Sequence, residues 1–107
     1  MNRNFKLSAP VWGKCDVIRL SVEFEPKRGG YFAWAQAVEH HGNSWSKVFD
    51  GNYFKYGDGY FPLVSAGRRS AKKLAEAENG LRVNALDFVR RYLEKLGKAE
   101  LTIQAEI

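Results

Sequence analysis

Cys15-Asp16-Val17-Ile18-Arg19-Leu20-Ser21-Val22-Glu23-Phe24-Glu25 decides the fold class of this chain. Successive strand side chains point to opposite faces, so Ile18, Leu20, Val22 and Phe24 share one side and Arg19, Ser21, Glu23 and Glu25 the other. A period of two with β-branched residues predicts a half-buried strand. Pro26-Lys27-Arg28-Gly29-Gly30 then supplies the residues of a hairpin turn. Residues 31–40 form the next strand, with Phe32, Trp34 and Val38 on one face and Tyr31, Ala33, Ala35 and Ala37 on the other. Alanines all facing one way leave room for an element packed close against them, and a helix further along the chain is the candidate.

On the N-terminal side, residues 1–14 read as a lead-in arm punctuated by Pro10 and Gly13. On the C-terminal side, His41-Gly42-Asn43 is a turn, and short strands are expected around 45–49, 53–56 and 60–64. Asp50-Gly51 and Asp58-Gly59 are tight-turn signals between them. Pro62 marks an edge or a strand end, because proline cannot donate to a ladder.

From about Ser70 the period becomes helical. Leu81, Ala85, Phe88, Tyr92 and Leu96 stack on one stripe flanked by Leu86, Val89 and Leu93, while Asp87, Arg90, Arg91, Glu94 and Lys95 take the opposite side. Asn84 followed by Asp87 resembles a helix start, which makes Asn79-Gly80 a candidate break between two helices. Gly97 is placed to cap the end. Leu101, Ile103, Ala105 and Ile107 then alternate with polar residues as a last strand. The expected architecture is α+β in a single domain over residues 1–107. It is an antiparallel meander of four to five strands with an amphipathic helix on one face and a C-terminal strand.

Composition narrows the function classes. At 107 residues, 45% apolar and 27% charged, the chain has the balance of a soluble globular domain with one core. A single cysteine, Cys15, excludes an internal disulfide and any zinc site built on two or more thiolates. No run reaches the roughly 18 apolar residues of a membrane span, and no apolar segment of a secretory signal follows Met1. The expectations are a cytoplasmic protein and no membrane partner.

No catalytic set is legible. His40 and His41 are adjacent in a strand and point apart, which does not suit shared chelation or acid–base work. Asp50 and Asp58 are accounted for by turn chemistry, and no nucleophile-elbow pattern surrounds Ser44, Ser46, Ser65 or Ser70. Gly29-Gly30 and Gly57-Asp58-Gly59 precede no helix in a phosphate-loop arrangement, so no cofactor is expected. Binding, not catalysis, is the expected activity.

Charge and aromatic placement nominate the contact residues. Net charge is +5, and residues 66–98 alone carry nine Lys/Arg against four Asp/Glu. Arg91, Lys95 and Lys98 have Asp87 and Glu94 within helical reach, whereas Arg68, Arg69, Lys72 and Lys73 have only Glu76. Cations at a helix start also oppose the macrodipole, so a phosphate- or carboxylate-bearing partner would account for them, as would a flexible loop. Seven aromatics crowd residues 45–61, among them Trp45, Tyr53, Tyr56 and Tyr60. Such rings either pack across strands or present a surface for a protein or for bases.

The run Ser70-Ala71-Lys72-Lys73-Leu74-Ala75-Glu76-Ala77 resembles the basic helix start of double-stranded-RNA-binding domains, which implies lysines lying across phosphates. That family's first helix has no counterpart here, and a strand follows the last helix. Over about residues 30–96 the layout is similar to small phage and plasmid accessory proteins, including some anti-CRISPR inhibitors. Trp34, the glycine-rich turns and Ala85-Leu86-Asp87-Phe88 carry that likeness. It implies a non-catalytic inhibitor that covers a surface of a nucleic-acid-handling complex. The two functional expectations are therefore binding to a protein or nucleoprotein complex, and direct binding of nucleic acid.

Overall fold

The computed structural model describes residues 2–41, 44–46 and 59–107, with side chains described for 2–39 and 59–107. Its elements run β1 (Asn2–Leu7), β2 (Val17–Glu25), β3 (Gly30–His41), β4 (Ser44–Ser46), β5 (Tyr60–Ser65), α1 (Ala71–Lys95) and β6 (Ile103–Glu106). The strands form one antiparallel sheet in the order β4-β3-β2-β1-β6, with β5 also paired to β3. Gly30–Trp34 pair with both β2 and β5, so those two strands take opposite edges of β3. The expected α+β layout of one helix on one face, closed by a C-terminal strand, is the observed one.

The alternation in β2 and β3 places that helix. Ile18 opposes Ala37, Leu20 opposes Ala35 and Val22 opposes Ala33, all on the inner face. Ala33, Ala35, Leu20 and Ile18 are fully buried there, against Ala77, Leu81, Ala85, Phe88 and Tyr92 of α1. Small residues on the sheet opposite large ones on the helix are what allow the two layers to interdigitate. Gly59, at the entry to β5, is part of this close fit. A Cβ there would lie 2.4 Å from the Ala35 carbonyl oxygen and 3.2 Å from the Tyr92 ring. Burial pushes the Cys15 thiol and the Tyr92 phenol up, so both are neutral members of the core.

Two expectations are corrected. The stretch expected as a lead-in arm contains β1, which lies between β2 and β6 and buries Phe5 and Leu7 in the core. The helix is also unbroken from Ala71 to Lys95. Gly80 costs the helix about 1 kcal/mol relative to alanine. Leu81, buried beside it, contributes about 2 kcal/mol by the usual area relation and outweighs that cost. Asn84 starts no second helix, because its side-chain amide donates to the Gly80 carbonyl one turn back at 3.0 Å. The helix ends where expected. Gly97 has φ of +70°, and the Lys98 N–H returns to the Leu93 carbonyl at 2.8 Å.

Candidate functional site

The hairpin turn between β2 and β3, the end of β5 and the start of α1 meet at one pole of the molecule. Gly29 takes φ of +71° to close the turn, and its N–H donates to the Glu25 carbonyl at 3.0 Å. Gly30 pairs with Ser65, and the Ala66 N–H reaches the Gly29 carbonyl at 2.9 Å. Tyr31 then ties the helix start to the hairpin. Its hydroxyl donates to the Ser70 carbonyl at 3.2 Å and accepts from the Ser70 N–H at 2.9 Å. Ser70 itself is the N-cap, accepting from the Lys73 N–H at 3.3 Å.

These contacts gather cations that are about forty positions apart in sequence. Lys27 and Arg28 of the turn join Arg68, Arg69, Lys72 and Lys73, with Glu23, Glu25, Glu76 and Glu78 as the acidic neighbours. No acidic residue sits in the first helical turn. Lys73 pairs with Glu76 at 3.4 Å, and Arg69 lies 5.1 Å over the Phe24 ring on the inner face. Arg68 and Lys72 are exposed and have no ion-pair partner among the described residues.

The outer face of the sheet continues this pole as an aromatic cluster. Tyr60, at the start of β5, opposes Trp34 of β3 with ring centroids 6.1 Å apart and planes 31° apart. Phe32 meets Tyr60 edge-on at 6.2 Å. Arg28 reaches back from the turn over both rings, 5.0 Å from Tyr60 and 5.8 Å from Phe32. Phe32 is buried, whereas Trp34 and Tyr60 are partly exposed. Val17, Gln36 and Val38, further along the same face, are buried.

The expected contact residues thus separate. Arg68, Arg69, Lys72 and Lys73 are brought together at the helix start, whereas Tyr60 lies under the Arg28 guanidinium on the outer face of the sheet. Arg91, Lys95 and Lys98 lie at the far end of α1, which at 1.5 Å per residue is about 35 Å long. There Arg91 pairs with Asp87 at 3.8 Å and lies 4.9 Å over Phe61, and the Lys95 ammonium lies 4.8 Å over the same ring. Trp45 is placed in β4 opposite His40, and Tyr53 and Tyr56 fall outside the described residues. Lys27, Arg28, Phe32 and Trp34 belong to the site although the charge pattern did not single them out. The turn Pro26-Lys27-Arg28-Gly29-Gly30 was itself the available signal, since a hairpin tip presents its side chains outward.

No protein-family model, curated protein or solved structure matches this chain. Among the described residues, no helix is long and apolar enough to cross a membrane. The molecule is thus an α+β protein whose distinguishing surface is a cation-rich pole leading onto aromatic rings.

Proposed function

We propose that this protein binds nucleic acid, with Lys27, Arg68 and Lys72 contacting phosphates at the basic pole. The observation that carries the reading is the convergence of a hairpin tip and a helix start, both basic, through the Gly30–Ser65 and Tyr31–Ser70 contacts. Such a cluster repels itself in the free protein, and a polyanion relieves that repulsion while releasing its own condensed counterions. This chemistry is binding rather than catalysis and suits the cytoplasmic residence expected from the sequence. Anisotropy titration of a labelled oligonucleotide at two salt concentrations tests it. The expected result is affinity that falls steeply with salt; an absence of binding at low salt rejects the reading.

A second reading is a mobile-element inhibitor that docks on a protein or nucleoprotein complex. Val83 and Leu86 favour it, being 71% and 52% exposed on the helix, Leu86 on the flank facing β6. It requires a stoichiometric protein partner, and failure to recover one from the native host removes it.

A further inference from the structure

We propose that the outward face of α1 pairs, antiparallel and across a two-fold axis, with the same face of a second copy of this chain. Glu76, Asn79, Val83, Asp87 and Arg90 recur every three or four residues. At about 100° per residue they lie within about 40° of one line along the helix. That line runs opposite the core, since Leu81 and Tyr92 on the far side are buried and all five of these residues are exposed. Val83 is 71% exposed, and Leu86 beside it 52%. Val83 is also the middle residue of the helix, which runs from Ala71 to Lys95.

Charge complementarity selects a second copy as the occupant. Glu76 and Arg90 stand equally far before and after Val83. An antiparallel two-fold pair centred on Val83 therefore sets each Glu76 against the partner's Arg90, with Val83 and Leu86 of both copies between the two ion pairs. A parallel pair would set like charge on like. Arg90 has no ion-pair partner among the described residues. Glu76 holds Lys73 at 3.4 Å through Oε2, which leaves Oε1 to accept from a second cation. From Glu76 to Arg90 the exposed charged residues are Glu76, Arg82, Asp87 and Arg90, so this face is balanced and does not repel its copy as the basic pole does. One helix face buries less than the roughly 1,200 Å² of a standard interface, so the dimer is weak and depends on concentration. The overlap ends at Glu76 and Arg90, and leaves Arg68 and Lys72 uncovered at opposite ends of the dimer.

Sedimentation equilibrium of the full chain without nucleic acid, from about 10 to 500 µM at low salt, tests the pairing on a range suited to weak interfaces. The wild type is expected to pass from monomer to dimer. Val83→Glu should abolish the dimer, and Glu76→Arg or Arg90→Glu alone should weaken it about tenfold, all three with little change in Tm because the residues are exposed. The double variant Glu76→Arg, Arg90→Glu should restore wild-type association. That rescue cannot arise within one helix, where the two positions are about 21 Å apart. A wild type that stays monomeric throughout overturns the proposal and leaves Val83 and Leu86 to a foreign protein. A dimer indifferent to Val83→Glu places the interface elsewhere, and single reversals without rescue contradict the antiparallel register; either result overturns it. None of these outcomes depends on whether the basic pole binds nucleic acid.

Discussion

The two ends of α1 carry the same kinds of side chain and use them differently. At the C-terminal end, Arg91 and Lys95 are spent on the protein itself, paired with Asp87 or laid over Phe61, and Lys95 complements the helix dipole. At the N-terminal end, Lys72 and Lys73 oppose that dipole, no acid stands in the first turn, and Arg68 and Lys72 have no ion-pair partner among the described residues. Equal density of cations in a sequence therefore says little about binding. What separates a stabilising cation from an available one is whether an acid or a ring lies within reach after folding.

Substitutions at the two ends sharpen this contrast. The largest expected effect is on binding. Replacing Arg68 and Lys72 together by glutamate should lower oligonucleotide affinity by a hundredfold or more at low salt, by analogy with the loss of phosphate contacts, as read by anisotropy. Arg91→Ala and Lys95→Ala should change that affinity by less than about twofold and instead lower stability, by about 1 kcal/mol together in urea unfolding. If the two pairs of substitutions weaken binding equally, the contrast fails.

Changes in the layer that holds the ends in place come next. Leu81→Ala should destabilise by about 2–5 kcal/mol, since the side chain is fully buried against the sheet. Gly59→Ala should cost about 1–3 kcal/mol, because the Ala35 backbone must move to admit a methyl group. Ser70→Ala should cost about 1 kcal/mol through the lost cap, and should weaken binding more than its stability effect explains if the cap orients Arg68 and Lys72.

The smallest effect concerns pH. Arg3 grips Glu106 through both carboxylate oxygens, and this guanidinium hydrogen bond holds the Glu106 carboxyl below its ordinary value. A carboxyl lowered in the folded state contributes stability that is present above the unfolded pKa and is lost as pH falls through the folded one. Because the pair is partly exposed, Glu106→Gln should shift stability at neutral pH by less than about 1 kcal/mol and flatten the acid limb of a stability–pH curve.

Much of the architecture was readable because periodicity reports burial directly. The alanines of β3 and the Leu81–Leu96 stripe describe two complementary faces before any contact is seen. The errors have local causes. Asn2-Arg3-Asn4-Phe5-Lys6-Leu7 has no β-branched residue and two asparagines, so its alternation of Arg3, Phe5 and Leu7 is weak evidence for a strand until β2 and β6 flank it. Asn79-Gly80 looks like punctuation because local preference favours a break, and tertiary burial of Leu81 and Ala77 decides otherwise. The candidate site was half legible. Arg68, Arg69, Lys72 and Lys73 form a visible run, but their union with Lys27 and Arg28 depends on β3 pairing with β5, a contact no sequence window contains.

The most direct measurement is the salt dependence of oligonucleotide affinity for the wild-type chain and for the Arg68→Glu, Lys72→Glu double variant. A phosphate-binding pole requires a linear fall of log affinity with log salt in the wild type. The variant should show a slope shallower by about two, one for each lost phosphate contact. Identical slopes and affinities for the two proteins would contradict the assignment of the basic pole as the binding surface.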